Sequence, residues 1–124
     1  MAIRITSELQ AAPTSGTLPF DLTMTFRATA SPAVTVDVIY RIVEVAGEPL
    51  DVAFLAGNQK FKILRRENVQ LSALPQDIAE PMSLVKAGKG DPVKLLTIWA
   101  SVVTRDAQDD SPNLDRTAAT VRIG

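Results

Sequence analysis

The residues best equipped for chemistry are the oxygen-bearing side chains of Asp106-Ala-Gln108-Asp109-Asp110-Ser-Pro112-Asn113. Calcium takes about six to eight oxygens, and carboxylates with amide carbonyls on a tight loop supply them. Asp106, Asp109 and Asp110 are therefore the candidate metal ligands. The same composition also builds an ordinary solvated hairpin loop, because these are turn-forming residues. A second cluster, Lys60, Lys62, Arg65 and Arg66, is basic. With Lys60 and Lys62 on one strand face it would make a small anion-binding stripe. Alternatively, its lysines would discourage edge-to-edge strand pairing.

Other chemistry is excluded by what is missing. The chain of 124 residues has no histidine and no cysteine. That removes the usual general base, the thiol nucleophile and the side chains that bind most transition metals. Gly88-Lys89-Gly90-Asp91 lacks the glycine spacing and following helix of a phosphate loop. Glu44, Glu48, Asp51, Glu67, Asp77 and Glu80 offer carboxylates, but nothing in their spacing singles out a pair. One Trp and one Tyr make a poor supply of sugar-stacking platforms. Trp99 and Tyr40 are expected as core or interface anchors. No catalytic residue and no cofactor are expected, apart from the calcium site.

These residues must be positioned by strands. Leu18, Phe20, Leu22, Met24, Phe26, Ala28 and Ala30 alternate with Asp21, Thr23, Thr25, Arg27 and Thr29, so one face is core and the other faces water. Ser31-Pro32 breaks the run, and a second strand is expected over Val34–Val45, as the antiparallel neighbour of the first. On its second face Ile39 and Val43 interrupt the polar Thr35, Asp37 and Arg41, which predicts that this face is partly covered. Gly47-Glu48-Pro49 is a turn. Leu50–Leu55 and Gln59–Arg66 read as short strands either side of Gly57-Asn58, and Val69 and Leu71 continue or restart the alternation. Pro75, Pro81 and Pro92 with Gly88 and Gly90 predict a long irregular connection over 75–92, with a helical turn or a short edge strand as the options for Ala79–Ala87, and it is the place to look for a functional loop. Val93–Arg105 is apolar on both faces and is expected to be a central strand. A polar loop follows over 106–115, then a last strand over Thr117–Ile123.

About seven strands spaced by turns predict an all-β, immunoglobulin-like antiparallel β-sandwich, one domain spanning 1–124. Ala100-Ser-Val-Val-Thr-Arg-Asp106 followed by Ala118-Ala-Thr-Val-Arg-Ile123 resembles the last hairpin of bacterial immunoglobulin-like and fibronectin-type-III-like domains. This resemblance covers the last quarter of the chain and implies a binding or spacing module; it carries over no functional residue. The immunoglobulin disulfide is absent. The 106–112 spacing is similar to the cadherin linker Asp-x-Asn-Asp-Asn-x-Pro, with Asp106, Asp109 and Pro112 matching and Gln108 and Asp110 at two asparagine positions. Leu64-Arg65-Arg66-Glu67 departs from the cadherin Leu-Asp-Arg-Glu pattern at Arg65, and no Asp-x-Asp occurs.

Thirteen basic and fourteen acidic residues give a formal charge of −1, so neither nucleic acid nor an anionic membrane is called for. No secretory leader or membrane-spanning run is read in the sequence, which makes the cytoplasm the default compartment. The expected function is a non-enzymatic structural or protein-interaction module, with a protein partner or self-association, acting through edge-strand pairing or end loops. The alternatives are a calcium-dependent adhesion or spacer domain and a small carbohydrate-binding sandwich. Met82, Leu84 and Val85, an apolar group within the expected 75–92 connection, are the candidate partner anchors.

Overall fold

The computed structural model describes residues 2–43, 52–88, 95–105, 107–108 and 112–123. Among these, ten strands form two sheets. They are β1 (Ala2–Ala12), β2 (Ser15–Gly16), β3 (Phe20–Ser31), β4 (Val34–Val43), β5 (Val52–Ala56), β6 (Gln59–Phe61), β7 (Ile63–Leu71), β8 (Gln76–Lys86), β9 (Leu95–Thr104) and β10 (Asp115–Ile123). The first sheet runs β1-β3-β8-β5-β6 and the second β2-β10-β9-β4-β7. All pairings are antiparallel except β2 with β10. The fold is an all-β sandwich, as the alternation predicts. The higher strand count comes partly from short elements, β2 and β6, of two and three residues.

The alternating residues meet between the sheets. Met24, Phe26 and Ala28 from β3 face Val36, Val38 and Tyr40 from β4, joined by Phe54, Leu84, Leu96 and Ile98 in one buried cluster. Burying each large side chain here contributes about 1.5–3 kcal/mol. Gly57, with φ +62°, opens the two-residue turn between β5 and β6. A glycine takes that left-handed conformation without a Cβ penalty.

The structure corrects three expectations. β3 and β4 are not paired neighbours: β3 lies in the first sheet and β4 in the second, so the short connection at residues 32–33 crosses between the sheets. Gln59–Arg66 is not one strand: β6 ends at Phe61 in the first sheet, and β7 starts at Ile63 in the second. The stretch 75–92 is not irregular over its first half, because Gln76–Lys86 is an eleven-residue strand paired with β3 along most of its length. Pro81 is tolerated there because β5 pairs only with residues 83–86 of β8. At Pro81 the flank away from β3 is a sheet edge, where a missing N–H costs no ladder bond.

Both seams between the sheets are closed by polar contacts. On one side β1 carries two register shifts between Ile5 and Gln10. There the Ile5 N–H donates to Asp115 Oδ2 (2.9 Å) and the Leu9 N–H to Thr117 Oγ1 (2.9 Å). On the other side Arg66 on β7 donates to the Ala79 carbonyl and pairs with Glu80 (3.1 Å), both on β8.

Candidate functional site

The basic cluster does not form an anion stripe. Lys60 Nζ donates to the Lys86 carbonyl and Lys62 Nζ to the Val52 carbonyl. Arg65 pairs with Asp37 and Arg66 with Glu80. Each cation has a partner within the fold: Lys60, Lys62 and Arg66 each donate to a backbone carbonyl, and Arg65 and Arg66 pair with carboxylates.

Met82 and Leu84 are not loop residues. They lie on β8, 6 % and 0 % exposed, within the core cluster. Val85 points to the opposite face, half-buried, opposite Ala53 on β5. It borders a cavity with Leu18, Pro19 and Lys86. The three therefore present no common surface. Asp106, Asp109 and Asp110 lie outside the described residues. Among the described residues no group of three or more acidic side chains could hold a metal ion, and no helix is long and apolar enough to cross a membrane.

Tyr40 and Trp99 separate. Tyr40 is fully buried in the core. Its hydroxyl has no hydrogen-bond partner among the described side chains and backbone. Burial pushes its pKa well up, the Glu80 carboxylate adds to the rise, and Arg66 opposes it. Trp99 has the opposite parity to Ile98 and Ala100, so it stands on the outer face of the second sheet.

That outer face mixes apolar residues with polar ones. Ile39 and Val103 are fully buried on it although they lie outside the core cluster. The partial covering predicted from Ile39 and Val43 is therefore seen at Ile39, while Val43 is 36 % exposed. At one end Asp37, also fully buried, accepts from Arg65 Nε (3.0 Å) and from the Asn68 N–H (3.1 Å). This pins the bulge where β4 and β7 shift register and where Asn68 takes φ +60°. Asn is among the few residues with a side chain that visit this conformation readily.

In mid-face the Arg116 guanidinium lies 4.7 Å from the centroid of the Trp99 ring. The two are diagonal neighbours, since Arg116 pairs with Ser101 and Ala118 with Trp99. Opposite Trp99 on the other flank is Arg41 of β4. A groove of about 420 Å³ runs beside this pair, between the Thr6–Glu8 bulge of β1 and residues Asp115–Ala118 of β10. Leu95, 51 % exposed, and Arg122 continue the same face.

Sequence reasoning read Trp99 as a core or interface anchor and did not single out Arg116 or the groove wall. Arg116 belongs to the site through the β9–β10 register, which nothing in the local sequence of either strand specifies. The bulge of β1 follows from its fit to β10, more than a hundred residues away in the chain.

The architecture is thus a two-sheet β-sandwich with a Trp–Arg surface on its second sheet. No protein-family model matches the chain, and no curated protein matches it.

Proposed function

We propose that this chain is a non-enzymatic protein-interaction or structural module of immunoglobulin-like architecture, a domain or subunit within a larger assembly. The carrying observation is Trp99 held under Arg116 on the outer face of the second sheet. Trp and Arg are the residue types most enriched at interaction hot spots. The sheet arrangement supports the architectural part. Two largely antiparallel sheets packed face to face are the arrangement immunoglobulin-like sandwiches share.

Faces rather than edges suit recognition here. Ile5 and Leu9 of β1 donate inward to β10 side chains. On β8, Pro81 has no donor and Arg66 occupies the Ala79 carbonyl. On β7 the bulge at Glu67–Asn68, opposite Asp37 of β4, interrupts the regular edge. Such devices discourage strand addition.

Photo-crosslinking in the native host tests the reading, with a benzophenone side chain at Thr97 or Thr120 on this face, or at Thr25 on the first sheet. Intermolecular adducts from 97 and 120 and none from 25 are expected. Equal adducts from all three positions, or none from 97 and 120, would overturn it.

A further inference from the structure

We infer that the face around Trp99 receives an extended acidic segment of a partner protein, with Arg116 as the anchor and Arg122 as the second contact. This rests on the binding-face reading above and adds the partner's chemistry. A guanidinium stacked on an indole is held in place while its N–H rim stays open to a carboxylate. Arg116 has that geometry and is exposed. Arg122 lies on the same face of the same strand, six residues on, which at about 3.3 Å per residue is roughly 20 Å. Between them the surface is uncharged: Ala118 and Thr120 on β10, with Trp99, Thr97 and Leu95 on β9.

The charge of this face differs from that of the whole chain. Among the described residues of β4, β9 and β10 that point outward, the one carboxylate is Asp37, which is buried and held by Arg65 and Asn68. The neighbouring groove has an acidic wall made of Glu8 and Asp115, the latter held by the Ile5 and Arg116 backbone N–H groups. Arg41 adds a cation beside Trp99 and has interactions of its own. A positive strip on a chain of net charge −1 selects a locally acidic partner, not a polyanion at large. The spacing points the same way. Two arginines about 20 Å apart across an uncharged floor match carboxylates flanking uncharged, partly apolar residues in an extended peptide. A nucleic acid would call for closely spaced cations and further stacking rings.

Trp99 is the sole tryptophan, so its fluorescence reads the site directly. The probe is a synthetic dodecapeptide with two Glu six positions apart and apolar residues between, compared with the same peptide carrying Gln at both positions. The Glu peptide is expected to give a saturable change that weakens at least tenfold at 0.5 M salt. Arg116→Gln should weaken it about tenfold and Arg122→Gln about threefold, both with unchanged circular dichroism, while Glu8→Gln should tighten it. If Arg116→Gln does not fold, Arg122→Gln and Glu8→Gln carry the test. Equal binding of the Gln peptide, tighter binding of oligothymidylate, or indifference to Arg122→Gln and Glu8→Gln would overturn the proposal. A crosslinked partner with no acidic segment would also overturn it and leave the binding-face reading standing.

Discussion

Replacing Asp37 by Ala tests whether one buried carboxylate holds the β4–β7 bulge. The Asp37 side chain is 1 % exposed and that of Arg65 is 23 % exposed. Three contacts disappear together: two from Arg65 to Oδ2 and one from the Asn68 N–H to Oδ1. Breaking a fully buried pair costs about 3–5 kcal/mol. Arg65 can regain water at its exposed end, which reduces its share to about 2 kcal/mol. The orphaned Asn68 N–H adds about 1 kcal/mol. A loss of about 3 kcal/mol lowers Tm by about 12 °C in a chain of this size. In urea, with a slope of about 1.5 kcal/mol/M, it moves the midpoint by about 2 M, read by Trp99 fluorescence. Asp37→Asn keeps an acceptor for the Asn68 N–H and should lose about half as much. Adding Arg65→Met to Asp37→Ala should recover part of the loss, because the unpaired cation is removed. A loss below about 1 kcal/mol for Asp37→Ala, or equal losses for Ala and Asn, would refute the reasoning.

Other expected outcomes follow from the same structure. Leu84→Ala should cost about 2–5 kcal/mol and Leu84→Ser more, whereas Val85→Ser should cost under about 1 kcal/mol; denaturant midpoints separate the core residue from its outward neighbour. Gly16→Ala should destabilise by about 1–3 kcal/mol, measured by thermal unfolding, because a Cβ there overlaps the Phe20 ring. Tyr40→Phe should change stability by less than about 1 kcal/mol at pH 7, since the hydroxyl it removes has no partner within the described protein. Tyr40 also sets an alkaline limit. Its folded pKa is raised above the ordinary 10.0, so above that pH the unfolded state releases a proton that the native state keeps. Stability then falls as pH rises. Tyr40→Phe should remove that part of the fall in an alkaline unfolding series.

The long strands were legible because their pattern is local. Leu22, Met24, Phe26 and Ala28 alternate without interruption, and both faces of the Val93–Arg105 run are apolar, as a strand between neighbours requires. β8 was hidden by Pro75 and Pro81, which locally signal a break. Pro81 is harmless only because β5 stops pairing at Ser83, and that is a property of another strand. The continuous pattern of Gln59–Arg66 likewise concealed a change of sheet at Lys62. The Trp99 surface was half legible. Its parity against Ile98 left either face open, and the stack with Arg116 depends on register across the β9–β10 hairpin. Asp37 read as one polar residue on an outer face; its partner lies 28 positions away.

The seam between β1 and β10 has a consequence for synthesis. The donors at Ile5 and the acceptor at Asp115 are 110 residues apart. At about 5–20 residues per second, that interval is roughly 5–20 s of translation. Throughout it the bulged flank of β1 has its N–H groups bonded only to water and its docking strand not yet made. On a polysome, neighbouring nascent chains carry the same exposed flank at high local concentration. The sandwich therefore completes itself only when its last strand leaves the ribosome, and slow decoding of the final segment would prolong the period in which the first strand can pair with the wrong chain.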